Sequence, residues 1–562
     1  MKFRDMKYTR FNLDEVVKYV EDMTQKINSA QSGEEVIALI YDIDSFKREL
    51  STNHNLVHIR YTINTNDEFY EKEREYYDEN MPIVSTKMVE ISKALYNSKF
   101  REDVIKEFGK HLFTQLESEI ILNEDVIDLL QKQNELTTKY DKKIANSDIH
   151  FRGEVYTLTQ MSPYLQNKDR ESRKEAYKAV NKFFADNQDF FDNLYDELVK
   201  VRHEMAVRLG FENYTQLQYK LLMRSDYNHI DVAKYREKVL ENLTPLAVEL
   251  RKRQAKRLGL DELKFYDRAL LFKDGNSDPK GDYNFIIENA KKMYGELSPE
   301  TGEFFNFMVD NELLDLVAKP GKASGGYCTT LDKYGAPFIF SNFNGTRGDI
   351  DVITHEAGHA FQAYTSRNMK ISNYIWPTYE SAEIHSMSME FLTWPWMELF
   401  FEDDADKYRF SALQSSICFI PYGVTIDHFQ HFVYENPTAT PEERRKKYHE
   451  IELMYDPDKN YDDDFLNNGG YWFRQGHVFS MPFYYIDYTL AQVCAFQYLV
   501  KSLEDSKKAF EDYLTLCKAG GSESFFKLVE IGKIKNPMTT EVLKEITPKL
   551  LEKLDELEEK LV

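Results

Sequence analysis

Residues 355–359 read His-Glu-Ala-Gly-His. On a helix, positions i and i+4 lie about 40° apart on one face. The imidazoles of His355 and His359 can therefore point at one cation. Glu356 is turned by about 100° from His355, beside that cation and not on it. From there its carboxylate can take a proton from an activated water, which is the chemistry of metal-assisted hydrolysis. The plain alternative is a surface helix with two stray histidines. The flanks, IDVIT and AFQAYT, are apolar, so the helix is expected to be buried. Two buried imidazoles and a carboxylate need partners, and a metal supplies them.

A tetrahedral catalytic zinc takes three protein ligands and keeps one position open. The downstream segment YESAEIHSMSMEFL offers Glu380, Glu383 and His385, and spacing alone does not choose among them. Glu383 falls 24 residues after His359, far enough for the chain to return on a second helix. Glu390 follows about two turns later on nearly the same face. It is either a polar helix residue or a carboxylate that orients a ligand histidine.

HEAGH followed by EIHSMSME resembles the thimet oligopeptidase, neurolysin and oligoendopeptidase F family of zinc metallopeptidases. The similarity is greatest to its bacterial oligoendopeptidase F and Pz-peptidase branch. GKASGGYCTTL, PFIFSNFNGT, FRQGHVFSMPFYYIDYTLA, FRGEVYTLTQMSPYL and DRESRKEAY extend it over roughly residues 140–530. The resemblance implies one zinc per chain on His355, His359 and Glu383, with Glu356 as general base. It also implies that His477, Tyr485 and Tyr488 face the metal as catalytic donors. Such donors to a developing oxyanion are typically worth roughly 3 kcal/mol each. A further tyrosine of the family falls at Met481, so its role is absent here or taken by Tyr484. For Tyr484 the preferred reading is aromatic packing. His385 and Glu390 are expected around the ligands.

The implied activity is hydrolysis of internal bonds in short, unstructured peptides. The implied fold is mainly α, a two-lobed, neurolysin-like helical zincin with a deep central substrate groove. A small β-sheet would lie beside the HExxH helix. One rival is a zinc carboxypeptidase or dipeptidase, which needs a group to grip a free terminus; Arg347, Arg474 and Lys322 are candidates. Another is an inactive peptide-binding scaffold.

The elements that must position these residues are mostly helical. Residues 13–31, 33–49, 66–97, 100–117 and 124–147 carry apolar side chains at helical spacing. Asn123 has N-cap chemistry. Residues 148–164 alternate and predict a small hairpin, with helix resuming near Asp169. Residues 540–561 predict a surface helix. Between residues 319 and 349 eight glycines and prolines punctuate two strand-like runs, Tyr327–Leu331 and Phe338–Phe343, joined by the turn DKYGAP. This is a connecting hairpin or an edge to which an extended peptide adds by main-chain hydrogen bonds. On the second reading Gly325, Gly326, Phe338 and Ser341 bind substrate. A division at 195 is expected, with residues 1–195 as a helical wall of the groove and 196–562 as the catalytic region.

Composition narrows the partners. The formal net charge is -23, from 72 basic and 95 acidic side chains. Non-specific nucleic-acid binding needs the opposite sign, and so does an anionic membrane surface. Four cysteines, Cys328, Cys418, Cys494 and Cys517, lie far apart and predict no disulfide framework. MKFRDMKYTRFNLDE holds no apolar stretch of the signal-peptide kind, so the cytosol is the expected home. Short peptides are the expected partners, with a monomer or homodimer as the assembly.

Overall fold

The computed structural model describes residues 1–561. It is mainly helical. The first periodic segments form helices Leu13–Ser29, Gly33–Ile63, Glu68–Tyr96 and Ile127–Ala145. The side chains of Asn12, Ser32 and Asp67 accept backbone N–H groups at the first three starts, satisfying donors a helix leaves open. Asn123 caps as expected, though on a short 3-10 turn, Glu124–Val126.

Three boundaries differ from expectation. The second helix runs on to Ile63 because its polar continuation buries Thr52, Asn53, Leu56, Val57 and Ile59. The segment 100–117 breaks at Gly109, whose φ of 94° no helix accommodates. The hairpin at 148–164 is shorter. Strands β1 (Ile149–Phe151) and β2 (Glu154–Tyr156) pair antiparallel around Arg152 and Gly153. Thr157 and Gln160 then form a capping box that starts helix Leu158–Leu165.

Two main buried cores result, with two small clusters beside them around Phe265 and Tyr461 and around Leu258 and Leu270. The smaller core gathers Val20, Ile40, Leu112 and Phe113 of the early helices and is closed by Ile371 and Tyr374 from far along the chain. The larger spans the remainder, out to Leu550, Leu554 and Leu557 on one face of the last helix, Thr540–Lys560. Residue 195, where a division is expected, falls inside a helix. Tyr195 is 1% exposed in the middle of helix Gln188–Arg208, and a continuous packed helix offers no linker there. Among the described residues no helix is long and apolar enough to cross a membrane.

The second sheet has three strands, ordered β3-β5-β4: β3 is Leu314–Val317, β4 is Tyr327–Leu331 and β5 is Ala336–Phe343. β4 and β5 form the expected hairpin, turned through Gly335 in the left-handed region. β3 had no signal in the sequence; it adds in parallel to the other side of β5. β5 is thus central, with both edges paired. The carboxylate of Asp349 accepts the N–H groups of Asn344 (2.9 Å) and Gly345 (2.8 Å). That turn delivers the chain from β5 into helix Gly348–Ser366, which carries HEAGH.

Candidate active site

Helix Gly348–Ser366 lies against helix Tyr379–Leu392. Gly358 permits the contact. A Cβ there would sit 2.6 Å from both the His385 carbonyl oxygen and the Ser386 Cα, closer than packed atoms approach. The close crossing brings Glu383 to the two histidines. Its Oε2 is 3.3 Å from His355 Nε2 and 3.5 Å from His359 Nε2. Among the described residues, His355, His359 and Glu383 form the group whose ligand atoms converge within 4.8 Å. Glu380 turns away to accept from the Tyr227 hydroxyl at 3.2 Å. His385 is fully buried, with neither ring nitrogen hydrogen-bonded. Burial, and then the charge of His359, push its pKa down to about 3, so it is neutral.

Two imidazole nitrogens and one carboxylate oxygen are a donor set suited to a borderline-soft divalent ion. The surroundings fit as well. His355 Nδ1 donates to Glu390 Oε1 at 2.7 Å, so that Nε2 is the atom turned toward Glu383. Burial raises the Glu383 pKa, but the two imidazoles outweigh it and hold the carboxyl well below its usual range. Glu383 Oε2 accepts from Ser386 Oγ at 2.8 Å, and Oε1 accepts from the Tyr484 hydroxyl.

Glu356 is 9% exposed and faces the same cavity. Burial pushes its pKa up, against the pull of the neighbouring imidazoles.

The late segment arrives from the opposite side. His477 sits in the short helix Gly476–Ser480, and Tyr488 on helix Tyr485–Glu504. His477 Nε2 is 3.4 Å from the Tyr488 hydroxyl. Gln475 was not anticipated. Tyr422 donates to its Oε1 (2.9 Å), so its Nε2 donates to His477 Nδ1 (3.0 Å). His477 therefore carries its proton on Nε2, toward the cavity. Burial lowers the His477 pKa and raises those of Tyr484 and Tyr488, so imidazole and phenols stay neutral donors.

The cavity has a volume of about 590 Å³. Tyr484 and Tyr488 line it; Tyr485 does not. The Tyr485 ring lies behind His477 (centroids 5.3 Å), against Phe419 and Tyr422. The signal for Tyr484 was its place in YYIDY, where one helical step separates a cavity-facing tyrosine from a packed one. Leu221, Leu222, Met223 and Trp376 form an apolar wall that sequence reasoning missed altogether. Their spacing is that of ordinary core residues.

Of the four residues expected to bind substrate, Gly326 lines the cavity and Gly325 does not. Phe338 and Ser341 are corrected: both lie on central β5, 1% and 4% exposed. With β3 and β4 on either side, β5 has no edge for a peptide. The free edge belongs to β4. Pro337 has no N–H, and it stands opposite Thr330, whose carbonyl turns outward to Asn55 Nδ2 at 2.8 Å. Alternation then turns the main-chain groups of Cys328 outward too, and Cys328 lines the cavity. The candidates for gripping a peptide terminus are engaged elsewhere. Lys322 is paired with Asp315, Arg347 with Asp351, and Arg474 with Asn181.

A helix presenting His-Glu-x-x-His, a second helix returning a glutamate, and a cleft with a free strand edge define a metal-dependent peptidase. The chain belongs to peptidase family M3: residues 163–548 match that family, and residues 3–122 match the peptidase M3 N-terminal domain. A solved structure described as Pz peptidase A with inhibitor 2 is 48% identical, superposes with a TM-score of 0.97, and is covered over 100% of both chains. An oligoendopeptidase F homolog of Borreliella burgdorferi is 26% identical over 75% of this chain and 71% of its own. Group B oligopeptidase PepB of Streptococcus agalactiae is 23% identical over 83% of this chain and 78% of its own.

Proposed function

We propose that this metallopeptidase is a zinc oligoendopeptidase, and that His355, His359 and Glu383 hold its one zinc. When bound, zinc supplies Lewis acidity to a water and to a peptide carbonyl within reach. The protein's own groups do the rest. Glu356 takes the proton of the attacking water and passes it to the leaving amine. Its raised pKa suits both transfers. His477 Nε2–H and the Tyr488 hydroxyl donate to the oxygen that becomes negative as the carbonyl turns tetrahedral. The Tyr484 hydroxyl holds Glu383 in place. The substrate main chain pairs with the outer edge of β4 at Gly326 and Cys328, beside Glu356.

The observation that carries endopeptidase over carboxypeptidase action is the lining of the cleft. Besides its three histidines it holds Glu356, Glu383 and apolar or uncharged side chains, and among the described residues no Lys or Arg. Nothing in it would neutralise a free carboxyl terminus. A cleft of about 590 Å³ admits an extended peptide and not a folded protein. Short peptides in the cytosol are the substrates this favours.

The test is a peptide blocked at both ends, incubated with zinc-loaded and chelator-stripped enzyme and followed by mass spectrometry. Internal cleavage by the loaded form alone is expected. Release of single terminal residues from the unblocked peptide only, or cleavage that survives stripping, overturns the reading.

A further inference from the structure

Two non-glycine residues near the cleft have left-handed backbones, Met223 (φ 56°) and Phe483 (φ 66°). Such conformations are strained for L-residues and persist only where the surroundings over-determine them. Here they share one neighbour. The Arg224 guanidinium donates through Nη2 to the Phe483 carbonyl at 2.6 Å and to Asp487 Oδ1 at 2.7 Å. Both side chains are fully buried. Arg224 also lies over the Tyr219 ring, 4.4 Å from its centroid.

The two strained residues adjoin functional surfaces. Leu221, Leu222 and Met223 are the apolar wall of the cleft. Phe483 precedes Tyr484, whose hydroxyl meets Glu383. Phe483 is itself held at its N–H by Gln430 Oε1, 3.0 Å away. Nη2 of the guanidinium thus ties the turn that forms the substrate wall to the corner that presents the phenol. A lysine ammonium ends one bond short of Nη2 and loses the planar contact with the Tyr219 ring, so it cannot serve both acceptors in the same geometry.

We propose that Arg224 is a positioning residue for catalysis: it locks the Leu222–Met223 turn to the Phe483–Tyr484 corner, and acts on the reaction through Tyr484. This rests on the reading that the Tyr484 phenol holds Glu383 in its working position. Buried partners that orient a metal ligand commonly alter activity by about 10–100-fold, and a loss in that range is expected of Arg224→Lys. It falls on kcat, with KM for a short peptide changed less.

The experiment is a double-mutant cycle on metal-loaded, full-length enzyme: Arg224→Lys, Tyr484→Phe and both together, with kcat and KM measured for one fluorogenic peptide. If Arg224 acts through Tyr484, its substitution costs little in the Tyr484→Phe background, as coupled residues are not additive. Equal costs in both backgrounds overturn the clamp and leave Arg224 as packing alone. A Tyr484→Phe enzyme with wild-type kcat overturns the reading beneath it. Should Arg224→Lys fail to fold, Asp487→Leu removes the side-chain acceptor of Arg224 at similar volume and enters the same cycle with the same two outcomes.

Discussion

Glu390 Oε1 stands 2.7 Å from Nδ1 of His355, seven residues beyond Glu383 on the same helix. One helix therefore supplies both a metal ligand and the group that orients another. Replacing Glu390 with Ala frees the His355 ring and its tautomer. Metal affinity is expected to fall by about 10–100-fold. Titration of stripped protein with zinc against a competing chelator reads this directly; an unchanged affinity would show the contact to be incidental.

Glu356→Gln separates base from ligand. Glutamine keeps the shape and leaves His355, His359 and Glu383 untouched. Turnover is expected to drop by about 10²–10⁴-fold with metal content unchanged. Single-turnover assays alongside metal analysis decide it, and a variant that cleaves at a wild-type rate refutes the role of Glu356.

The tyrosines divide by where their hydroxyls lie. Tyr488 lines the cavity and meets His477, whereas Tyr485 is packed behind. Tyr488→Phe is expected to lower kcat by about 100-fold, and Tyr485→Phe by much less. If the two losses are equal, the division of roles between neighbours three residues apart is wrong.

Gly358 sets the distance between the two ligand-bearing helices. Alanine there would need the His385–Ser386 backbone to retreat from a 2.6 Å contact. Overpacking of this kind costs about 1–3 kcal/mol, and it spreads His359 from Glu383. Gly358→Ala should therefore lower the melting temperature and weaken zinc binding together. A stable variant with intact affinity would mean that the helices slide without cost.

Helix periodicity made most of the fold readable, because amphipathic faces repeat whatever they pack against. HEAGH was legible for the same reason: both imidazoles depend on one local geometry. Glu383 was not separable from Glu380 and His385 by spacing, since the choice is made by a crossing of helices that Gly358 permits. β3 escaped because Leu314–Val317 is four residues long and joins a sheet only through β5. Phe338 and Ser341 were misread for the same reason, as an unseen third strand turned their edge into a centre. YYIDY did not say which tyrosine faces the cavity, and Gln475 carries no pattern of its own; the roles of Tyr484 and Gln475 are set by partners 101 and 53 residues away.

Acid should unfold the wall of early helices through two histidines. His54 and His58 lie on helix Gly33–Ile63. Burial, then the Arg74 charge, lower their pKa values to about 4 and about 3. His58 Nδ1 lies 2.9 Å from Arg74 Nη1, whose N–H must donate, so the ring is held neutral as an acceptor. The sign follows from linkage. Above the ordinary histidine value of 6.5 neither folded nor unfolded chain is protonated there, and stability is full. As pH falls below it, the unfolded chain binds protons that the folded chain refuses, so stability declines down to the lowered values. His58→Gln keeps an acceptor for Arg74 and removes the titration. Its melting temperature should fall less between pH 7 and pH 5 than that of the wild type, with the two measured in parallel by calorimetry. Identical slopes would mean that His58 protonates freely in the folded chain, against the burial and the Arg74 contact seen around it.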